Sequence, residues 1–225
     1  AYAGQWSEVF TTTNIPCQYL KQFNIKIDEY VDHHESHAAG GYFTSPFDDA
    51  MIVCIDAIGE WDTTSVWSAN RGEMQKIDSF QYPHSLGLLY SAFTHRVGLK
   101  PAEEEYILMG MAAYGEPRYK DQIHEAMIRS IVPLELKQNL HRGMGQWLPD
   151  ADPMDLAASI QAVTEEIIQG MWKHARAITG ESGNICFAGG VALNCVANAV
   201  MADKDIFENI WIMPNPGDAG SSLGC

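Results

Sequence analysis

Three histidines fall within five residues in Val31-Asp32-His33-His34-Glu35-Ser36-His37-Ala38-Ala39. Asp32 is a helix-capping residue and Glu35, three positions on, can return a bond to it, so a helix is predicted from His33. On that helix His33 and His37 stand four residues apart on one face and can both reach one divalent ion, while His34 points away. A histidine-rich surface helix explains the same composition equally well. A metal needs further ligands, and two carboxylates are placed to supply them. Asp56 ends the most apolar strand of the chain, and Asp218 follows the last strand in Pro214-Asn215-Pro216-Gly217-Asp218-Ala219-Gly220. Side chains at such strand exits favour binding sites in α/β folds, although a strand-end Asp often only bonds the next turn. A His2Asp2 set of His33, His37, Asp56 and Asp218 suits iron or zinc, and manganese less well.

Two glycine-bearing connections can meet a phosphate. Asp56-Ala57-Ile58-Gly59-Glu60-Trp61-Asp62-Thr63-Thr64-Ser65 offers backbone N–H groups and hydroxyls between two strands. Gly189-Gly190-Val191-Ala192-Leu193-Asn194 joins a buried strand to a helix, where unsatisfied N–H groups and the positive end of the dipole lie; a tight packing turn is its rival reading. Both connections are suggestive of a phosphate or nucleotide site, and neither residue pattern settles it.

The elements that must position these residues are legible in the hydrophobic periodicity. Ala50–Ile55, Ser65–Ala69 and Met74–Phe80 read as a three-stranded meander, with Asn70-Arg71-Gly72 as a turn. Leu86, Leu89, Phe93 and Val97 mark a helix closed by Gly98. Asp152-Pro153 opens a long helix whose Leu156, Ile160, Val163, Ile167, Met171, Ala175 and Ile178 keep one face apolar until Gly180. Asn184–Phe187 is a buried strand, a helix follows from about Val191, and Asn209–Met213 is the last strand. Residues 116–150 read as an irregular insert. The order predicts an α/β fold built on a mixed sheet with helices on both faces.

With 225 residues and 46% hydrophobic side chains the chain can bury a large core. Its formal charge of −15, from 14 basic and 29 acidic side chains, disfavours binding to a phosphate backbone. No apolar run approaches the ~20 residues of a membrane span, so no membrane association is expected. Cys17, Cys54, Cys186, Cys195 and Cys225 are odd in number and irregularly spaced. Three of them lie in apolar runs, which predicts packed, reduced thiols and a cytoplasmic location. The opening AYAGQW has neither Met nor a signal-peptide pattern and is expected to be part of something longer.

Five segments together carry a resemblance: DHHESHAAGGYFTSPF (Asp32–Phe47), DAIGEWDTTS (Asp56–Ser65), MGMAAYG (Met109–Gly115), FAGGVALNCVAN (Phe187–Asn198) and NPGDAGSSLG (Asn215–Gly224). In this order they resemble the NodU/CmcH carbamoyltransferases, over essentially the whole chain from Tyr30. The resemblance implies an actin-like ATPase (RNase H-like) fold of two lobes. Residues 1–47 are then the remnant of the first lobe and 48–225 the second, with the insert at about 116–150. It implies a metal on His33, His37, Asp56 and Asp218, iron first and zinc or manganese as alternatives, and a carbamoyladenylate along Gly59-Glu60 and Gly189-Gly190 to Asn194. Its carbamoyl group, drawn from carbamoyl phosphate and ATP, passes to a hydroxyl of a small molecule. The general base and a C-terminal YrdC-like domain that makes the adenylate are expected outside this sequence. Ile107 stands where the family carries a basic residue before its Met-Gly-Leu-Ala motif, which puts a lysine contact there in doubt. Two alternatives remain: a tRNA threonylcarbamoyltransferase of the TsaD type, which the acidic charge disfavours, and a non-catalytic nucleotide- or metal-binding module.

Overall fold

The computed structural model describes residues 20, 22–26, 28–179 and 182–225, without the Thr179 side chain. Cys17 and Gly180 lie outside the described residues. The chain divides into two compact units, Ala1–Asp32 and His33–Cys225. Residues 33–47, expected with the first lobe, pack in the same unit as 48–225.

That unit is built on a five-stranded sheet of order β3-β2-β1-β6-β7. Strands β1 (Asp49–Gly59), β2 (Asp62–Asn70) and β3 (Glu73–Gln81) form the meander, and β6 (Asn184–Ala188) and β7 (Asn209–Trp211) complete it. β2 is antiparallel to β1 and β3, whereas β6 is parallel to both β1 and β7. The period-two alternation of β1 sends Met51, Val53 and Ile55 into one core and Ala50, Ile52 and Cys54 into the other. Covered on both faces, β1 reads as a continuous apolar run, as strands of parallel sheets do.

The larger core is closed by α2 (Leu86–Arg96), α5 (Pro153–Thr179) and α6 (Cys195–Ala202). Asp152 caps α5, its Oδ1 accepting from the N–H groups of Met154 and Asp155 at 2.8 and 3.2 Å. Leu156, Ile160, Val163, Ile167, Met171 and Ala175 are all buried along its inner face. Fully burying a large aliphatic side chain stabilises by roughly 1.5–3 kcal/mol, while ordinary helix propensities differ by under about 1 kcal/mol per residue, so packing holds this helix. The opposite face of the sheet is covered by α1 (His33–Phe43) through Ala38 and Tyr42. Its small residues allow close approach: a Cβ on Gly41 would lie 3.4 Å from the Ala188 Cβ, and one on Gly40 3.5 Å from Met213 Sδ.

The segment expected to be irregular is ordered. It carries α4 (Lys120–Met127) and the hairpin of β4 (Ile128–Ser130) and β5 (Glu135–Leu136), and Ile123, Met127, Leu136 and Leu140 are buried in the main core. Ahead of it, α3 (Glu105–Met111) buries only Leu108, so it shows no apolar stripe. No helix of the described residues is long and apolar enough to cross a membrane. Cys54 and Cys186 are buried and unpaired as expected, but Cys195, expected to be packed, is exposed on the first turn of α6.

Candidate functional site

Four side chains from separate elements meet at one point. His33 and His37 come from the first turns of α1, Asp56 from β1 just past its pairing with β6, and Asp218 opens the short helix α7 (Asp218–Ser221). One ligand atom from each lies within 4.8 Å of the others. Asp56 Oδ2 is 3.0 Å from His33 Nε2 and 3.1 Å from His37 Nε2, and Asp218 Oδ1 is 3.4 and 3.2 Å from the same two atoms. The two Nε2 atoms are 3.1 Å apart. Four ligands placed tetrahedrally around an ion at ~2.0–2.1 Å are separated by about 3.3–3.4 Å, so the donor set fits a four-coordinate divalent metal. Two imidazole nitrogens facing each other between two carboxylates require positive charge among them. His37 Nδ1 is buried with no hydrogen-bond partner among the described residues, so the ring is held by packing and by its Nε2 contacts.

The electrostatics agree with that demand. Burial pushes the Asp56 carboxyl up, but hydrogen bonds from His33, His37 and the Ala57 N–H outweigh it and hold the group well below the usual carboxylate range. The hydrogen bond to Asp56, against the opposing effect of burial, raises His33. Asp56 is fixed from both ends: its Oδ1 accepts from the Ala57 N–H at 2.8 Å, and its backbone carbonyl faces the Ser85 hydroxyl at 3.2 Å.

Ser85 was not among the sequence candidates. It caps α2 by accepting from the Leu88 N–H at 3.0 Å, and its hydroxyl also reaches the Ala57 carbonyl at 2.6 Å. A serine ahead of an apolar helical run was its signal. The start of α2 therefore sits against the end of β1, where a Cβ on Gly87 would meet the Ala57 backbone at 2.7 Å.

Asp56 and Asp218 also line a cleft of about 430 Å³ at the ends of the parallel strands, with α2, α3, α5 and the turn after β6 as its walls. This is where ligands bind in open α/β sheets. Of the candidate nucleotide contacts, Gly190 and Asn194 line the cleft; Gly59, Glu60 and Gly189 are outside its lining. Gly59 serves the histidines, since a Cβ there would collide with the His34 and His33 rings at 2.4 and 2.5 Å. Gly189, at φ +87°, brings the chain within 2.3 Å of where its Cβ would strike the Ile55 carbonyl, and its N–H donates to Pro216 O at 3.0 Å. That bond ties the exit of β6 to the loop carrying Asp218. The helix expected from Val191 begins at Cys195, because Gly190–Leu193 winds as a 3-10 turn and the Asn194 side chain caps α6 by accepting from the Ala197 N–H at 3.0 Å. Gln161 then pairs with the Asn194 amide in both directions, at 3.1 and 2.9 Å, and accepts from the Tyr90 hydroxyl at 3.1 Å. A glutamine inside an apolar helical pattern gave no warning of this role. Two hydroxyls of the Asp56–Ser65 segment are engaged elsewhere: Thr63 donates toward the Phe80 and His84 carbonyls, and Ser65 bonds His34 and Trp67.

Residues 5–147 and 130–225 match the model of the carbamoyltransferase N-terminus. The chain belongs to the carbamoyltransferase N-terminal family. An uncharacterized protein of Synechocystis sp. is 41% identical over 217 residues, covering 86% of this chain and 35% of the relative. The nodulation protein NolNO of Sinorhizobium fredii is 30% identical over 228 residues, covering 91% and 32%. The 3'-hydroxymethylcephem-O-carbamoyltransferase of Amycolatopsis lactamdurans is 23% identical over 215 residues, covering 85% and 39%. The chain thus spans about a third of the length of these carbamoyltransferase-family relatives. Among solved structures, the activator of the 2-hydroxyisocaproyl-CoA dehydratase from Clostridium difficile with bound ADPNP aligns with a TM-score of 0.54 at 18% identity, over 90% of this chain and 67% of that one. Full-length HypF in its phosphate- and nucleotide-bound form aligns with a TM-score of 0.52 at 14% identity, over 92% and 36%. The fold is accordingly that of an actin-like ATPase.

Proposed function

We propose that this chain is the metal- and adenylate-binding part of an ATP-dependent O-carbamoyltransferase acting on a hydroxyl of a small molecule. The observation that carries the reading is the convergence of His33, His37, Asp56 and Asp218 at the wall of a cleft, in a chain of this family. In this reading 48–225 form one lobe of a two-lobed fold, with 116–150 inserted, and the helix carrying His33 and His37 packs with it.

His33, His37, Asp56 and Asp218 hold the ion. A bound divalent metal supplies Lewis-acid polarisation of carbamoyl and phosphate oxygens. Iron, zinc and manganese are all compatible with two imidazoles and two carboxylates. Gly190 and Asn194 line the cleft beside Asp56, and the Asn194 amide, held by Gln161, is placed to meet the adenylate. Leu86, Val191 and Leu193 add apolar surface to the lining of the cleft. The acceptor oxygen bonds to the carbamoyl carbon, the carbon–oxygen bond to the adenylate phosphate breaks, and AMP leaves. The acceptor proton goes to a base that is assigned to no residue of this chain.

Two measurements test the proposal. Metal analysis of the purified chain is expected to find about one ion, and His37→Ala to weaken its retention beyond the ~10–100-fold that outer-shell losses alone produce. Unchanged metal content in the variant removes the site assignment. The longer protein, given carbamoyl phosphate, ATP and a panel of hydroxyl compounds, is expected to form an O-carbamate. Release of AMP with every hydroxyl left unmodified overturns the transfer reading.

A further inference from the structure

A second cavity of about 210 Å³ opens beside the main cleft and shares Ser91 with it. The two differ in charge. The charged residues lining the main cleft are Asp56, Glu103, Glu105 and Asp218, all acidic. The second cavity is lined by one permanent cation, Arg142, and by the imidazoles of His95 and His141, with no carboxylate among its lining residues.

Arg142 is one of 14 lysines and arginines set against 29 carboxylates in the chain. Four other arginines are engaged, Arg96 with the carbonyls of Trp147 and Leu148, Arg118 with Asp155, Arg129 with Glu135 and Arg176 with the Ile206 carbonyl, while Arg71 lies in the turn between β2 and β3, away from both cavities. The Arg142 side chain has no ion pair or hydrogen bond among the described residues. The turn presenting it is well anchored. Leu140 is buried in the core, the Asn139 side chain accepts from the His141 N–H at 3.0 Å, and Gly143 returns its N–H to the Leu140 carbonyl at 2.8 Å. Gly143 has φ +80°, and a Cβ there would press on His95 Nδ1 at 3.3 Å. His141 packs edge-on against Tyr82, with ring centroids 6.0 Å apart. On the wall shared at Ser91, Glu105 Oε1 accepts from the Ser91 hydroxyl at 2.6 Å and the Ala102 N–H at 2.7 Å.

A guanidinium is permanently charged and matches phosphate, sulfate or carboxylate with paired N–H donors, and imidazoles supply an N–H in either protonation state. We propose that this cavity is an anion subsite, taking the acidic group of a substrate whose hydroxyl end reaches the main cleft past Ser91. The inference rests on the carbamoyltransferase reading and names its acceptor class: a small hydroxyl compound that carries a phosphate, sulfate or carboxylate. Together the two cavities have the volume of an ordinary small-molecule site.

The test uses the purified chain in chelator, without nucleotide, with ring signals of the histidines followed by NMR. Inorganic phosphate is expected to shift His95 and His141 saturably, and Arg142→Gln to weaken that binding about tenfold, as expected for loss of a charge-assisted pair. Glucose 6-phosphate is expected to bind about tenfold or more tightly than phosphate, by linking two weak contacts, and glucose alone not to shift these signals. Equal affinity in Arg142→Gln, or shifts confined to His33 and His37, overturns the subsite. Phosphate binding with no gain for glucose 6-phosphate overturns its role in the acceptor and leaves a free-anion site. Failure of carbamoyl transfer in the longer protein is read in a separate assay and leaves the anion measurement standing, so the two readings fail distinguishably.

Discussion

His34 lies between the two convergent histidines in sequence and faces another way in space. Ser65 Oγ accepts from Trp67 Nε1–H at 2.8 Å and is hydrogen-bonded to His34 Nδ1 at the same distance. The ring is 1% exposed, and burial, opposed by Asp56 and Asp62, lowers its pKa from 6.5 to about 4. In the unfolded chain a histidine takes its proton near 6.5; in the fold this one stays neutral until about 4. Between those values the unfolded state binds more protons, so stability is present above 6.5 and is lost as pH falls through the window. The loss should reach on the order of 2–3 kcal/mol, at up to about 1.4 kcal/mol per pH unit. His33 shifts the opposite way, so the comparison must isolate His34. Denaturant unfolding of the wild type and His34→Gln in chelator, from pH 7 to pH 4.5, is expected to give a flatter pH dependence in the variant. Parallel curves would show that burial of this ring does not govern acid sensitivity.

At the scale of elements, the connection after β6 shows how two adjacent glycines divide the work. Gly189 has φ +87° and ψ 168°, a region costing non-glycine residues ~1–3 kcal/mol, and its Cβ would overlap the Ile55 carbonyl at 2.3 Å. Gly190 is free of that strain, but its Cβ would stand 2.9 Å from Asp56 Oδ1. Gly189→Ala is therefore expected to lower folding stability by at least ~2 kcal/mol. Gly190→Ala is expected to fold nearly normally while displacing Asp56 and weakening metal binding about tenfold, the scale of a disturbed ligand shell. Melting curves and metal titration separate the two, and a reversed pattern would refute this division. The same connection marks the limit of what the sequence conveys. The glycine pair and the buried strand before it are visible as a pattern, and the long apolar stripe from Leu156 to Ala175 is matched by burial along α5. The start of α6 is displaced to Cys195 because the choice between a 3-10 turn and an α-turn over Gly190–Leu193 depends on tertiary partners of Asn194 and Gln161. α3 escapes periodicity because a helix lying over a cleft with one buried residue has no stripe to read. In the site, His33, His37, Asp56 and Asp218 are recognisable by residue type and element end. Ser85 and Gln161 act through hydrogen bonds to partners 28–33 residues away, which no local pattern encodes.

Taken as a whole molecule, the chain carries a formal charge of −15, and all four charged residues lining its main cleft are carboxylates. A polyphosphate entering there meets repulsion, because charges at partly buried positions are screened far less than those at the surface. At the wall of that cleft, a divalent ion held by His33, His37, Asp56 and Asp218 would reverse the sign of the local field. Nucleotide and metal binding are therefore expected to be strongly coupled. Removing the metal should weaken binding of a non-hydrolysable ATP analogue by about 100-fold, and by linkage the analogue should tighten the metal by the same factor. His37 makes the test discriminating: it is 1% exposed and absent from the cleft lining, so it has no direct route to a nucleotide. Calorimetric titration of His37→Ala is expected to show the analogue bound as weakly as by the chelated wild type, with little further loss on adding chelator. If the variant binds the analogue as the metal-loaded wild type does, the charge of the cleft is being neutralised by groups other than this cluster, and the coupling between the two sites is absent.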